Sequence, residues 1–245
     1  MSKGRISIHA PKFFEPPKGS RARLVGAGLI VALLAAAVSG CDVSDGGDTS
    51  NKINGSIHVP AGKPAETVST VNGSIHIDDN ATVTTATTVN GSVHLGDQAS
   101  ATTLNSVNGS ITLGKGAHLS GAASSVNGEM TLSDGADIAG ALTNVNGKIT
   151  LTSAHVGGGI KTVNGSMSIT GTSKVEGGIL VQKPSSELLH FGQDVPRIVI
   201  GPGATVQGEL RFERKVELYV SDKATIGTVV GAIAVPFTGD SPPNQ

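Results

Sequence analysis

Three histidines, His58, His76 and His94, stand 18 residues apart in equivalent places of an alternating polar and apolar pattern. Imidazoles repeated at a fixed interval can line one outer face, where neutral ring nitrogens bind a transition metal or accept a proton as a general base. The equivalent places further along hold Thr112, Thr131, Thr150 and Ser168, so the position takes any small or polar outward residue. No acid partner recurs beside the histidines to orient a ring, and no catalytic residue is assigned. His58, His76 and His94 are therefore metal candidates in a subsidiary reading only, and no cofactor is expected.

A second set of polar side chains is more regular. An aliphatic residue followed by Asn-Gly occurs seven times, at Asn54, Asn72, Asn90, Asn108, Asn127, Asn146 and Asn164, with spacings of 18, 18, 18, 19, 19 and 18. A row of amides could bind a ligand. The favoured reading is structural: Gly adopts positive φ at a bend without steric cost, Asn tolerates it, and stacked amides hydrogen-bond from one unit to the next.

The elements that must position these columns follow from two periods. Within each unit Val71, Ile77, Val83, Val89, Leu95, Ala101, Val107, Leu113 and Leu119 recur every six residues. After each Asn-Gly the residues alternate, as in Ser74-Ile75-His76-Ile77, which is the pattern of a half-buried strand. Three short faces per unit satisfy both periods. The expected fold is all-β: a single-stranded parallel β-helix, three-sided, with about 18 residues per coil. The two extra residues where the spacing grows to 19 should fall in turns. Composition agrees, because 34 glycines, one tyrosine, five phenylalanines and no tryptophan leave only thin aliphatic layers for a core.

Residues 53–182 hold the repeats. Residues 183–197, with two prolines, read as a loop excursion, and alternation resumes over 198–238 in more charged coils expected to cap the rod. Residues 239–245 read as a disordered tail. At the other end, six basic residues and one acid precede the apolar run Leu24 to Val38, which at 15 residues is a signal-peptide core and is too short for a permanent span. Residues 1–40 are thus a leader, and 41–52 a flexible linker. From residue 41 onward, 12 basic and 18 acidic residues leave a net charge of about −6, and residues 54–180 contain no aromatic residue. Nucleic-acid binding and sugar stacking are both excluded by that surface.

Val38-Ser39-Gly40-Cys41 resembles the bacterial lipobox, which implies acylation of Cys41 and attachment to a membrane. The segments Ile198-Val-Ile-Gly-Pro-Gly-Ala-Thr-Val-Gln-Gly-Glu-Leu and Val216-Glu-Leu-Tyr-Val-Ser-Asp-Lys-Ala-Thr-Ile-Gly resemble the bactofilins, polymer-forming β-helix proteins. The Asn-Gly units are similar to bacterial adhesin-type envelope repeats. The hexad spacing also resembles the hexapeptide acyltransferases, left-handed β-helices that use a histidine as general base. The expectation is a non-enzymatic lipoprotein of the bacterial envelope, facing the periplasm or exterior. Its partners would be the membrane, through the lipid anchor, and a second copy or a surface partner. The alternatives are an acyltransferase-like enzyme or a metal-binding surface protein.

Overall fold

The alternating segments close into a parallel stack of short strands in a computed structural model, which describes residues 49–184 and 195–242. One face is a ten-stranded sheet that begins with Ile57–Val59, Ile75–Ile77 and Val93–Leu95 and ends with Ala234–Phe237, its strand order following the chain. The other two faces belong to a second sheet. In the early coils one long strand, such as Thr82–Asn90, crosses both faces; later the two limbs separate, as in His118–Leu119 and Ala123–Asn127. Neighbouring strands are parallel and pair one coil apart, for example Ile75 with Val93 and Asn90 with Asn108. The result is a three-sided parallel β-solenoid of ten coils with about 18 residues each, as expected from the repeats. At about 4.8 Å per coil the rod is roughly 45 Å long.

Each coil supplies one thin aliphatic layer. In one turn Ile75, Ile77, Ala81, Val83 and Ala86 are all inside, and the next layers repeat them with Val93, Leu95, Ala99, Ala101 and Leu104. Burying each large aliphatic contributes about 1.5–3 kcal/mol, yet only when the neighbouring coil supplies the opposing wall. Cooperativity along the rod follows directly from that geometry.

Two details differ from the sequence reading. First, the valine before each Asn-Gly, as at Val71, Val89 and Val107, is only half-buried, and the residue before it turns inward. Thr70, Thr88, Ser106, Ser125, Asn144 and Thr162 are all buried. The reason is a hydrogen bond: Thr70, Thr88, Ser106 and Ser125 donate to the carbonyls of Gly55, Gly73, Gly91 and Gly109 on the preceding coil at 2.9–3.2 Å. A buried corner carbonyl needs a donor, and that need overrides the hexad period.

Second, the Asn-Gly glycines do not serve for positive φ. Only Gly55 and Gly147 of the seven have it; what the others require is space, since a Cβ at Gly73, Gly91 or Gly109 would lie 1.9–2.2 Å from the carbonyl oxygen of the Asn-Gly glycine one coil before. The left-handed corner lies elsewhere, in the turn that leaves the ten-stranded sheet, at Gly62, Asn80, Gln98, Gly116, Gly135, Ser153, Gly171 and Gly203.

The longer spacing arises in a bend, as expected. Between Leu119 and Ala123 the chain has one residue more than between Ala101 and Leu104, with which they pair, and this divides the long strand in two. The following coils keep the extra residue as far as Val206 and Leu210, and the last, with Ile226 and Val229, loses it again.

The ends are handled differently. The first strand, Thr49–Asn54, starts inside the segment expected to be linker. Its Ser50 and Lys52 pair with Val68 and Thr70 of the next coil, so a cation occupies an inward register position at the open edge. At the far end the strands from Arg197–Ile200 to Ala234–Phe237 stack in ordinary register, and the last coil leaves apolar groups open: Ile233 is 88% exposed, and Val230 and Val235 are exposed with it. Pro236 blunts that edge instead. Phe237 accepts from Asp222 N at 3.0 Å, so the alternating backbone turns Pro236 to the open side, where a further strand would need its missing N–H. Residues 185–194 of the predicted excursion, and 243–245 of the tail, lie outside the described residues.

Candidate functional site

All seven asparagines are brought into one file at the corner that enters the ten-stranded sheet. From the second asparagine on, each Nδ2 donates to the Oδ1 of the asparagine one coil before: Asn72 to Asn54, Asn90 to Asn72, Asn108 to Asn90, Asn127 to Asn108, Asn146 to Asn127 and Asn164 to Asn146, at 2.7–3.0 Å. The amides all point the same way. Such a chain polarises along its length and leaves an acceptor at its C-terminal end. That acceptor, Asn164 Oδ1, takes a hydrogen bond from the guanidinium of Arg214, which also donates to Val163 O at 3.0 Å. A cation therefore closes the negative end of the amide row. Sequence reasoning missed Arg214, because 50 residues separate it from Asn164 and the intervening excursion breaks the repeat.

A parallel ladder runs beside it. Ser56, Ser74 and Ser92 accept from the backbone N–H of Ser74, Ser92 and Ser110, each at 3.2 Å. Asp79 and Asp97 do the same at the next turn, accepting from the N–H of Asp97 and Lys115 at 2.8 and 2.7 Å.

The three spaced histidines also lie in one column of the ten-stranded sheet, His58 paired with His76 and His76 with His94. The rings of His76 and His94 stack, with centroids 4.7 Å apart and planes 8° from parallel, whereas His58 tilts away by 53°. Contrary to the expectation of no acid partner, Asp78 bridges two of them, 2.7 Å from His58 Nε2 and 3.2 Å from His76 Nε2. Burial, and then the neighbouring His76, hold His94 below the usual histidine range.

A second histidine cluster, not foreseen, occupies another face. Asp137 stands between His118 and His155 in register and bonds both, His118 Nδ1 at 2.7 Å. His155 Nε2 lies 3.4 Å from Glu176, which pairs with Lys174 at 2.6 Å. The hydrogen bond and charge of Lys174, with help from His155, pull the Glu176 carboxyl down. The signal was in the sequence, as His118, Asp137 and His155 follow the 19- and 18-residue spacings of their coils, but the residue types differ and so hide the column.

Chemically these columns are side chains on outward faces that pair or stack with one another. Among the described residues no group of three or more His, Cys, Asp or Glu side chains is disposed to hold a metal ion. Nor is any helix among them long and apolar enough to cross a membrane. Cys41 lies outside the described residues. No protein-family model, curated protein or solved structure matches the chain.

Proposed function

We propose that this chain is a non-enzymatic lipoprotein of the bacterial envelope, held to a membrane through Cys41, whose β-solenoid serves as a structural rod. One observation carries the reading: the polar side chains that recur at the corners of the coils are engaged with the neighbouring coil. The asparagines bond asparagines, the buried hydroxyls bond corner carbonyls, and the serines and aspartates bond backbone N–H groups. A surface built for turnover would leave such groups free to meet a substrate.

The anchor rests on the order basic segment, apolar run, small residues, Cys41. Diacylglycerol plus an amide-linked chain supplies more than the two signals that stable attachment needs. Within this reading the rod acts as a spacer, an adhesive module or an assembly unit, and nucleic acid is not a partner.

The experiment is expression of the full chain in bacteria fed a labelled fatty acid, next to Cys41→Ser. The wild type should carry label and sediment with membranes, and the variant should lose both. An unlabelled, soluble wild type would overturn the anchor.

A further inference from the structure

One face of the rod is chemically unlike the other two. Beside the asparagine file, the residues of outward register form three columns: Thr67, Thr85 and Thr103; Thr87, Asn105, Ser124 and Thr143, preceded by Ser69, which is buried against Asn51; and Val71, Val89, Val107, Val126, Val145 and Val163. The middle column begins at Asn51 and meets its first charge at Lys161, in the seventh coil. Each of the other two faces carries titratable columns over part of that length, the ten-stranded sheet at His58, His76 and His94 in the first three coils and the third face at His118, Asp137 and His155 from the fourth coil on. β-Branched and small side chains, half-buried by their own neighbours, make the uncharged face flat and stiff.

We propose that this face binds a second copy of the same chain, side by side, through interdigitated Thr, Ser and Val columns. The period selects the partner. Side chains recurring at about 4.8 Å mesh only with a surface of the same repeat, as identical strands do in dry zippers, and another copy has it by construction. Charge selects the face. A chain carrying 18 acids against 12 bases after residue 40 repels its own copy wherever charges meet, and the three columns of this face carry none before Lys161, with Glu66 at their margin. The ends favour the same outcome, because the inward register of Lys52 and the missing donor of Pro236 oppose growth by adding coils end to end.

Area sets the strength. Six coils at about 4.8 Å and five residues at about 3.3 Å give a patch on the order of 30 by 17 Å, so a pair covers about 1,000 Å², near the lower bound for a specific contact. The association is weak and reversible. It rests on the fold and not on the membrane anchor.

A photo-activated cross-linking residue placed at Val107 of the full chain, and separately at Thr112 on the ten-stranded face of the same coil, tests this. Irradiation of the Val107 variant should give a covalent homodimer whose cross-link maps to the same face of the second copy, while the Thr112 variant gives at least about tenfold less. A second substitution, Thr87→Lys or Ser124→Lys, should lower the Val107 yield by about tenfold or more through like-charge contact across the pair. Circular dichroism checks that both lysine variants keep their strands. Equal yields from Val107 and Thr112, no homodimer, cross-links only to other proteins, or cross-links that map to the rod ends would each overturn the proposal.

Discussion

The two corners that flank the ten-stranded sheet face opposite demands. At the entering corner the same dipeptide recurs seven times, because both of its side-chain positions touch the next coil: the asparagine must bond an asparagine, and the glycine must leave room for a carbonyl oxygen. At the leaving corner Gly62, Asn80, Gln98, Gly116, Gly135, Ser153, Gly171 and Gly203 share only a left-handed backbone, with φ between 47° and 77°. Residue identity is held fixed where coils touch through specific groups. It drifts where only a conformation is required and several residues can supply it.

The sharpest way to break that contrast is to put the same methyl group at each corner of one coil. Gly109→Ala drives a Cβ to 2.0 Å from Gly91 O, so the coils must separate and the fold should lose about 3–5 kcal/mol. Gly116→Ala finds Gln98 Cγ at 3.7 Å and open space otherwise, so its cost is the left-handed backbone alone, about 1–2 kcal/mol. Urea unfolding of both variants measures the difference, and equal losses would contradict the account.

The next effect concerns the hydroxyl buried behind the entering corner. Thr88→Val keeps the shape and removes the donor to Gly73 O, which should cost about 1–3 kcal/mol by the same measurement. At the leaving corner Gln98→Gly relieves a non-glycine residue at φ 56° while loosening the unfolded chain, and these oppose each other to within about 1 kcal/mol.

The smallest effect is a pH dependence. His94 lies below its ordinary range in the folded chain, so the unfolded state binds the proton more readily. Its share of stability is present above the unfolded value of about 6.5 and is lost as pH falls through it toward the folded value. His94→Thr, which installs the residue found at Thr112 one coil on, should flatten the melting temperature between pH 7 and pH 5. An unchanged slope would remove His94 as its source.

These contrasts explain what could be read in advance. The seven asparagines, the coil length and the all-parallel architecture were legible, because contact between identical neighbours leaves an exact period in the chain. The inward Thr70 and outward Val71 were not, since hydropathy alone assigns the valine to the core and ignores the corner carbonyl that needs a donor. Arg214 and the His118, Asp137 and His155 column were hidden for a different reason. Mixed residue types carry no period, although the fold aligns them as strictly as it aligns the asparagines.

One unbroken file of side-chain amides joins each coil to the next. Scalar couplings across hydrogen bonds, measured by NMR from each asparagine Nδ2 to the Cγ of its acceptor, read that file bond by bond. A single run of couplings should lead from Asn164 through Asn146, Asn127, Asn108, Asn90 and Asn72 to Asn54. Side-chain amides that show no such coupling and exchange freely with water would refute it.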